Sequence, residues 1–534
     1  MSLNVREYDN KQLLLFPPSI GDYLPDNDLA HVVDEAIDTI DLTHYYDKIS
    51  NVGNPPYHPS LMIKIWFYGY ATRVYSSRKI EDKLHKDVAF IYLAGMQKPD
   101  FKAIAEFRRK NLSELGSSFI EILQICHRLG LTSLGEISID SKVMKANASA
   151  DRTYTDEDIT KERENIQKVV ERYLEEAGQA DIGEDLIYGK DRRGDELPED
   201  IHDKKTRVQK MKRIHEQLKQ AQERLKQSDR KKINLTDNDA RFQKGSGKVI
   251  PGYRAQVAVD SKNQIIVAND VANQENDCSQ LTPMVDKTLE NISKLEPQGY
   301  SEEPVKILAD GGYCSGGNLA RFEDEEYKGK VEPYIPYTNS DTKERGKGHD
   351  VNSPFHRSKF IYNSEENNFT CPAGKKLDYC GKYDSHGVLY HTYGNRKDCK
   401  GCGYFGECTI NPKGRHISIS EYQPLVDKMR RKLCTKEGKD IYRLRKITVE
   451  PALGNMSHNM GFREFLLRGL HKVKGEFSLM CTAHNLRKIA KAVRQSGISL
   501  REKLKELDDS LSPLLIINRL GLNQPEVSLV FDSS

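Results

Sequence analysis

Glu450 is a single carboxylate among several cations near the C-terminal end of the chain, in the segment 441–451. If this segment is helical, Lys446 lies one turn before Glu450 and Tyr442 lies two turns before it, so the three side chains share one face. Such a face has the groups needed to hold a metal ion beside a phosphodiester. An isolated glutamate on a helix is more often only a solvated acid, so the interpretation depends on partners elsewhere in the chain.

Two distant aspartates are the expected partners. Asp140 ends the run 135–140, whose alternating polar and apolar residues predict a strand, and Asp310 ends the apolar run 305–310 just before two glycines. Side chains at the carboxyl ends of strands converge in α/β sheets. Carboxylate oxygens suit Mg²⁺ or Mn²⁺, and two such ions support in-line phosphoryl transfer. The sequence therefore predicts that Asp140, Asp310 and Glu450 form one metal site.

A cysteine cluster predicts a second kind of metal site. Five of the ten cysteines fall between Cys371 and Cys408, and Cys399 and Cys402 have the Cys-x2-Cys spacing of a zinc knuckle. We predict that Cys371, Cys399, Cys402 and Cys408 hold a structural Zn²⁺, with Cys380 as an alternative to one of them. The competing interpretation is that these cysteines are reduced and free. A four-thiolate zinc site is closed, so catalysis is not expected there.

The order of the predicted elements places the acids in an α/β fold. The first strand is followed by a hairpin (253–260 and 264–268), a helix (279–293), the strand ending at Asp310 and the helix bearing Glu450. We predict a core of mixed sheet and flanking helices, preceded by an all-helical N-terminal domain and interrupted by two insertions. The predicted boundaries are 1–130 for the N-terminal domain, 131–150 and 236–320 for the core strands, 151–235 for a charged helical insertion, 321–440 for the cysteine-bearing insertion, 441–505 for core helices with a basic tail, and 506–534 for the C-terminal tail.

The charged insertion carries a short heptad-like seam. Its apolar residues are spaced three and four apart, which predicts a helical hairpin or a coiled-coil arm. Two interpretations remain open: the seam packs on a helix of the same chain around 166–174, or it pairs with another chain. The seam residues are Met211, Ile214, Leu218, Ala221 and Leu225.

Basic residues in the N-terminal domain are candidates for DNA contact. Arg78 and Lys79 lie in a short predicted helix after Ser76, and Arg108 and Arg109 end another. Together these helices resemble a helix-turn-helix unit, whose cations would contact phosphates. A plain helical bundle with a charged exterior explains the same pattern equally well.

Other polar residues are interpreted as structural. Asp260 ends a strand, but the turn residues after it indicate a hairpin. Asp237, Asp239 and Arg241 are expected to form a salt-bridged loop near the site, with a substrate contact as the less favoured alternative. Three histidines of the final helical stretch are expected on the surface or at DNA phosphates, with metal ligation less favoured. These are His458, His471 and His484.

Composition excludes several classes of protein. Lys plus Arg total 82 against 79 for Asp plus Glu, a net charge of +3, so a nucleic-acid surface must come from local clustering. No apolar run approaches a membrane span, and the N-terminal residues lack the apolar core of a signal peptide. Ten cysteines in 534 residues are too few for a disulfide scaffold. These features predict a cytoplasmic protein.

The combined motifs resemble the DDE transposases of bacterial insertion sequences, specifically insertion-sequence family 1182 in the superfamily of families 4 and 5. The resemblance covers nearly the whole chain, and the order of the motifs makes it specific. The motifs are His58-Pro59, Ser76 to Glu81 and Phe107-Arg108 in the N-terminal domain, Ile139 to Ser149 around the first aspartate, Asp237 to Arg241 and Gly252 to Asp260 in the hairpin, Leu308 to Tyr313 around the second aspartate, and Tyr442, Thr448 to Pro451 and Gly461 to Arg463 around the glutamate.

The resemblance implies an RNase H-like core in which the three acids bind two Mg²⁺ or Mn²⁺ ions. It also implies that Tyr442 and either Arg445 or Lys446 contact DNA near the cleaved phosphate. Related transposases often place a lysine seven residues beyond the glutamate, where this chain has Ser457. The resemblance predicts a transposase that binds the terminal inverted repeats of its element and target DNA, and that acts as a dimer in the DNA complex. The alternatives are a metal-dependent nuclease on the same fold and a DNA-binding derivative without catalysis.

Overall fold

The computed structural model describes residues 19–48, 55–188, 199–228, 230–244, 249–274, 277–295, 303–337, 352–385 and 387–519. The predicted N-terminal domain and helical insertion are therefore described in part. Most of the predicted tail 506–534 lies outside the described residues.

The described strands form a central mixed sheet, a five-stranded antiparallel sheet and a two-stranded pair. In chain order they are β1 (Glu136–Lys145), β2 (Thr153–Tyr154), β3 (Ile233–Asn234), β4 (Arg241–Lys244), β5 (Val249–Asp260), β6 (Ile266–Ala272), β7 (Val305–Ala309), β8 (Val331–Tyr334), β9 (Ile361–Asn363), β10 (Asn368–Thr370), β11 (Lys376–Ser385), β12 (Val388–Asn395) and β13 (Arg415–Ser420).

Along the sequence, helices make up both ends of the described chain and also occur between the strands. In chain order they are α1 (Leu29–Asp38), α2 (Thr43–Tyr46), α3 (Pro59–Ala71), α4 (Ser77–Lys86), α5 (Val88–Leu93), α6 (Phe101–Lys110), α7 (Leu112–Arg128), α8 (Asp156–Tyr188), α9 (Glu199–Lys226), α10 (Leu281–Leu295), α11 (Gly316–Arg321), α12 (Lys397–Lys400), α13 (Gln423–Cys434), α14 (Lys436–Gly454), α15 (Leu470–Ser496) and α16 (Leu500–Arg519). No helix among the described residues is long and apolar enough to cross a membrane.

The central sheet has the order β4-β5-β1-β7-β8, and β6 also pairs with β5. Strand β5 is antiparallel to both β1 and β6, whereas β1, β7 and β8 are parallel to one another. The predicted α/β fold with a mixed sheet is confirmed. Strand β8 belongs to this sheet although it lies within the range 321–440 that was assigned to the cysteine-bearing insertion.

The first predicted strand is longer than its sequence pattern indicated. We expected it to end at Asp140, but β1 continues to Lys145 because Asp140 to Lys145 pair with Val257 to Gly252 of the long strand β5. Asp140 therefore lies in the middle of a strand, whereas Asp310 directly follows the end of β7 as predicted.

Helices lie on the central sheet because its strands are apolar on both faces. Strands β5 and β6 are buried along most of their length, as expected of strands covered on both sides. Helix α10 packs on β5 and β6, and α14 packs on β1 and β5. The sheet is thereby held between helices, and α14 carries Glu450.

The N-terminal helices share one hydrophobic core with the central sheet. Helix α3 is apolar on nearly every side and is buried almost throughout. Helix α15 packs against α3, α7 and β6, so it joins the N-terminal helices to the sheet. The basic tail predicted at the end of the range 441–505 lies in two helices, because Gly497 adopts a left-handed φ of +74° and ends α15 before α16 begins.

Helices α8 and α9 form an antiparallel arm with its own small core. Leu218, Ala221 and Leu225 of α9 are buried against Ile159 and Ile166 of α8. Met211 and Ile214 pack on the same cluster. In the described part of the arm the seam therefore packs within the chain, which favours the first of the two interpretations given above.

The second sheet has the order β13-β12-β11-β10-β9, and all of its pairs are antiparallel. Its core is separate from the main core and is mostly aromatic. The core residues are Phe360, Phe369, Leu377, Tyr393 and Ile417, with Cys371 and Cys408 packed against them.

Candidate active site

Asp140 and Asp310 lie beside each other on neighbouring parallel strands. In the β1–β7 register Ile139 pairs with Ala309, so Asp140, the next residue of β1, lies beside Asp310, the first residue after β7. Asp310 accepts a hydrogen bond from the Gly312 N–H at 2.8 Å, which caps a short 3-10 turn. The structure therefore brings together two of the three predicted metal ligands from far apart in the sequence.

Burial raises the pKa of Asp140 to about 6, and the negative charge of Asp310 acts in the same direction. The Ser141 N–H and the Arg445 guanidinium oppose this rise. Two carboxylates that repel each other at a partly buried position fit a divalent cation, which would stabilise both in their ionised form.

Arg445 links Asp140 to Glu450. Its Nη1 lies 2.8 Å from Asp140 Oδ2, and its Nη2 lies 3.3 Å from Glu450 Oε1. The Arg445 side chain is only 11% exposed, whereas the Glu450 side chain is 51% exposed. Glu450 thus stands at the solvent edge of the site and the guanidinium lies between the two acids.

Arg445 and Lys446, which the sequence left as alternatives for the cation near the cleaved phosphate, differ in their surroundings. Arg445 faces the acids, whereas Lys446 is exposed and forms no ion pair among the described residues. Tyr442 is partly buried on the same side as Arg445. Burial raises the pKa of Tyr442, and the charges of Asp310 and Asp140 add to the rise while Arg445 opposes it.

Helix α14 has an irregular end beside Glu450. Pro451 lies inside the helix and has no N–H to donate to the Ile447 carbonyl, so Gln264 Nε2 donates to that oxygen at 3.0 Å instead. A π-helical turn, Asn455–Asn459, follows directly. Such turns are frequent at functional sites.

Two cations next to this site were missed by the sequence analysis. Lys142 Nζ donates to Ser457 Oγ at 2.6 Å, and Arg463 Nε donates to the Ser457 carbonyl at 3.2 Å. The strand alternation carried a signal, because Lys142 lies two residues after Asp140 and therefore on the same face of β1. The fold was needed to bring Ser457 and Arg463 to that face.

The predicted DNA contacts of the N-terminal domain differ in their surroundings. Arg108 is held within the fold, since its guanidinium lies 4.2 Å from the centre of the Trp66 ring and donates to Tyr70. Arg109 forms two hydrogen bonds with Glu106. Arg78 lies over the Phe101 ring at 4.9 Å, and Lys79 is exposed.

The acids interpreted as structural have structural contacts. Asp260 is buried and accepts hydrogen bonds from the N–H groups of Ser133, Leu134 and Lys262. Asp237 accepts from the Tyr253 hydroxyl at 2.7 Å, and Asp239 accepts from the Leu470 N–H at the start of α15. These contacts support the structural interpretation of all three acids. Among the described residues, however, Asp237 and Asp239 are held by hydrogen bonds and not by the expected salt bridges.

The expectation for His484 was wrong. This side chain is fully buried in α15, where Nε2 bonds to the Gln264 carbonyl at 2.9 Å and Nδ1 lies 3.2 Å from Asn455 Nδ2. Burial lowers the pKa of His484 to about 4. The residue is therefore a neutral core group and is not available to DNA.

The four predicted zinc ligands line one cavity at the end of the second sheet, whereas Cys380 is exposed and does not line it. The Lys375 N–H donates to Cys371 Sγ at 3.3 Å, and the Arg415 N–H donates to Cys399 Sγ at 3.4 Å. Burial raises the pKa of Cys408 to about 11, and the other three cysteines are close enough to add to the rise.

The side chains of the three acids, and likewise those of the four cysteines, would have to move closer together to bind a metal ion. In the part of the chain that the structure describes, no three His, Cys, Asp or Glu side chains are close enough to hold one ion. The acids and the cysteines nevertheless supply the oxygen and sulfur donors suited to Mg²⁺ or Mn²⁺ and to Zn²⁺, respectively.

Two family models match separate parts of the chain. Residues 370–490 match a transposase DDE domain, and residues 18–110 match a transposase domain, DUF772. The first match contains α14 with Glu450, and the second covers the helices α1 to α6. No curated protein matches the chain.

One solved structure is distantly similar. It is described as a piggyBac transposase synaptic complex with hairpin DNA, is 10% identical in sequence, and is aligned over 96% of this chain and 85% of that chain with a TM-score of 0.31. A TM-score this low does not establish a shared fold.

Proposed function

We propose that this chain, a DDE transposase of an insertion sequence, cuts DNA at the ends of its element and joins the freed 3′-hydroxyl to target DNA. The observation that carries the proposal is the pairing of Asp140 with Asp310 on parallel strands, with Glu450 linked to Asp140 through Arg445. Within the transposases, the motifs favour insertion-sequence family 1182.

The architecture around the acids supports an RNase H-like core. Antiparallel strands β6, β5 and β1 continue into parallel strands β7 and β8, with helices on the sheet. In this arrangement Asp140 and Asp310 come from the central strands and Glu450 comes from the packed helix α14. Three acids on rigid elements are the kind of support that a catalytic metal site needs.

Asp140, Asp310 and Glu450 are the residues that would hold two Mg²⁺ or Mn²⁺ ions. When bound, such ions activate the attacking oxygen and stabilise the leaving oxygen in phosphoryl transfer. Arg445 orients Asp140 and Glu450, and its guanidinium is suited to a DNA phosphate. Tyr442, on the same side of α14, would contact DNA next to the cleaved bond.

The DNA substrate follows from the same proposal. Double-stranded terminal inverted repeats would be bound with the help of exposed cations such as Arg78 and Lys79, while Arg108 supports the fold of that domain. Transposition brings two element ends together, so we propose a dimer in the DNA complex.

The second sheet is proposed to hold a structural Zn²⁺ through Cys371, Cys399, Cys402 and Cys408. Backbone N–H groups donate to two of the sulfurs, as expected around knuckle-type zinc ligands. The test is metal analysis of purified protein, with about one Zn²⁺ per chain expected. Cys399→Ser should lose the metal and Cys380→Ser should retain it, while folded protein free of zinc would contradict the site.

The assignment of the three acids Asp140, Asp310 and Glu450, here called the triad, as catalytic metal ligands is tested on DNA that carries one end of the element. We expect Asp140→Ala, Asp310→Ala and Glu450→Ala each to abolish cleavage and strand transfer in Mg²⁺ and Mn²⁺ while end binding persists. The matched control is Glu325→Ala, because that carboxylate is 94% exposed and is paired with Lys328, outside the proposed site. Unchanged activity in all three variants would refute the assignment.

The products of the wild-type reaction separate the alternatives. Joined strands support a transposase, and cut strands without joined products indicate a nuclease. Binding without cleavage in Mn²⁺ indicates a DNA-binding protein that has lost catalysis.

A further inference from the structure

Lys142 and Arg463 form a pair of cations centred on one residue. Both donate to Ser457, Lys142 to its hydroxyl at 2.6 Å and Arg463 to its carbonyl at 3.2 Å. Ser457 itself is buried in the π-helical turn after α14 and cannot move freely. The positions of the two cations are therefore fixed by the same turn that ends the helix bearing Glu450.

This pair has no counter-ion within the described residues. The positive charge of Arg463 lies close enough to Lys142 to repel it. Neither cation forms an ion pair with a carboxylate among the described residues. The adjacent acid Glu464 is paired with Lys145 at 3.0 Å instead. Two neighbouring positive charges without an acid repel each other, so an anion between them would be stabilised.

The location identifies the kind of anion. Lys142 lies on the same face of β1 as Asp140, about 7 Å further along the strand. Ser457 lies two helical turns beyond Glu450. Successive phosphates of one DNA strand are also about 7 Å apart. If the cleaved phosphate of a strand lies at the three acids, a neighbouring phosphate of that strand would therefore lie near Lys142 and Arg463.

We propose that Lys142 and Arg463 bind the DNA backbone phosphate next to the one that is cleaved. The inference rests on the proposed function, because it takes Asp140 and Glu450 to mark the cleavage position. Lys142 and Arg463 act as positioning residues: they hold the strand in register and make no contact with the reacting atoms.

The first test is the salt dependence of end binding, measured in Ca²⁺ so that DNA is not cut. Lys142→Ala and Arg463→Ala should each reduce the slope of log K against log [salt] by about 1, as expected for one lost phosphate contact. Lys142→Arg should restore the slope. Lys145→Ala is the matched control, since Lys145 lies on the same strand, is exposed and has a carboxylate partner.

The second test locates the contact on the DNA. A neutral methylphosphonate placed next to the cleavage position should weaken binding by wild-type protein and should have little further effect on Lys142→Ala. Equal loss in both proteins, or wild-type salt slopes in both alanine variants, would overturn the proposal. Thermal unfolding identifies a misfolded alanine variant, and Lys142→Met, which keeps the length of the apolar stem, then replaces Lys142→Ala.

The two proposals can fail separately. If Asp140→Ala still cleaves DNA but Lys142→Ala loses the phosphate contact, the triad is wrong and the phosphate site stands. If the triad variants are inactive and the methylphosphonate effect is the same with and without Lys142, the phosphate site alone is wrong.

Discussion

The guanidinium of Arg445 reduces the repulsion between Asp140 and Glu450. It is nearly buried and contacts both acids, so removing it would leave a partly buried aspartate with less compensation for its charge. Lys446, the next residue, is exposed and provides a matched comparison on the same helix.

Arg445→Ala should lower the rate of DNA cleavage by about 10²-fold, the usual cost of losing a fixed cationic or donor group at a reacting phosphate. Arg445→Lys should recover only part of the rate, since an ammonium cannot contact both acids in the same geometry. Lys446→Ala should stay close to wild type. Single-turnover cleavage at saturating Mg²⁺ measures all three, and equal losses for Arg445→Ala and Lys446→Ala would contradict the distinction.

His484 should make the folded state sensitive to acid. Its pKa is about 4 in the folded chain and about 6.5 when unfolded, so the unfolded state binds more protons between these values and stability falls as the pH drops through that window. The loss at pH 5 relative to pH 7.5 is on the order of 2 kcal/mol.

The measurement compares the unfolding temperature of wild type and His484→Gln at pH 7.5 and pH 5. Other groups titrate in both proteins, so the difference between the two pH responses isolates His484. A smaller loss on acidification is expected for the variant, and identical responses would show that the folded-state pKa is not lowered.

At the scale of elements, Gln264 connects three parts of the core. It lies in the β5–β6 turn with a left-handed φ of +61°, and its Nε2 donates to the Ile447 carbonyl of α14. Lys488 of α15 donates to Gln264 Oε1 at 3.0 Å. The helix bearing Glu450 is thereby tied to the turn and to α15 at the point where Pro451 interrupts its own hydrogen bonds.

Gln264→Ala should destabilise the protein by about 1 kcal/mol, because the Ile447 carbonyl loses a donor. It should also raise the Mg²⁺ concentration needed for half-maximal cleavage, since Glu450 is held less firmly. Pro451→Ala supplies a backbone N–H to the same carbonyl, so Gln264→Ala should cost less in that background. A double-mutant cycle on stability and on metal dependence measures this coupling, and strict additivity would contradict it.

At the scale of the whole molecule, the sequence predicted those features that depend on local periodicity. The alternation 135–140, the hairpin and the apolar run before Asp310 indicated the central strands, and the helix bearing Glu450 was predicted correctly within α14. The end of β1 was not predictable, because its extension to Lys145 depends on pairing with β5.

The features that the sequence did not reveal depend on contacts between distant residues. Lys142 and Ser457 are 315 positions apart, and only the fold places them together. Arg108 was predicted to contact DNA phosphates as part of a helix-turn-helix-like unit, and its contacts with Trp66 and Tyr70 were not predictable because they bring together residues of α6 and α3. His484 was likewise expected at the surface but is buried, since a polar residue on a helix with many basic residues gives no local sign of burial.

The shared core predicts that the N-terminal helices and the central sheet unfold together. Trp66 is the single tryptophan of the chain and is fully buried in α3, so its fluorescence reports on the N-terminal helices. Phe477 of α15 is buried in the same core, between those helices and the sheet. Phe477→Ala should cost about 3–5 kcal/mol and should shift both the Trp66 transition and the loss of amide protection in β1 and β7.

The matched variant is Phe369→Ala, because Phe369 belongs to the separate core of the second sheet. It should reduce amide protection in β10 and β11 and leave the Trp66 transition and the protection of β1 nearly unchanged. Hydrogen exchange followed by mass spectrometry across a denaturant series measures both variants. A Trp66 transition at lower denaturant than the loss of protection in β1 would show that the N-terminal helices unfold independently, in which case α15 would not join the two regions into one cooperative unit.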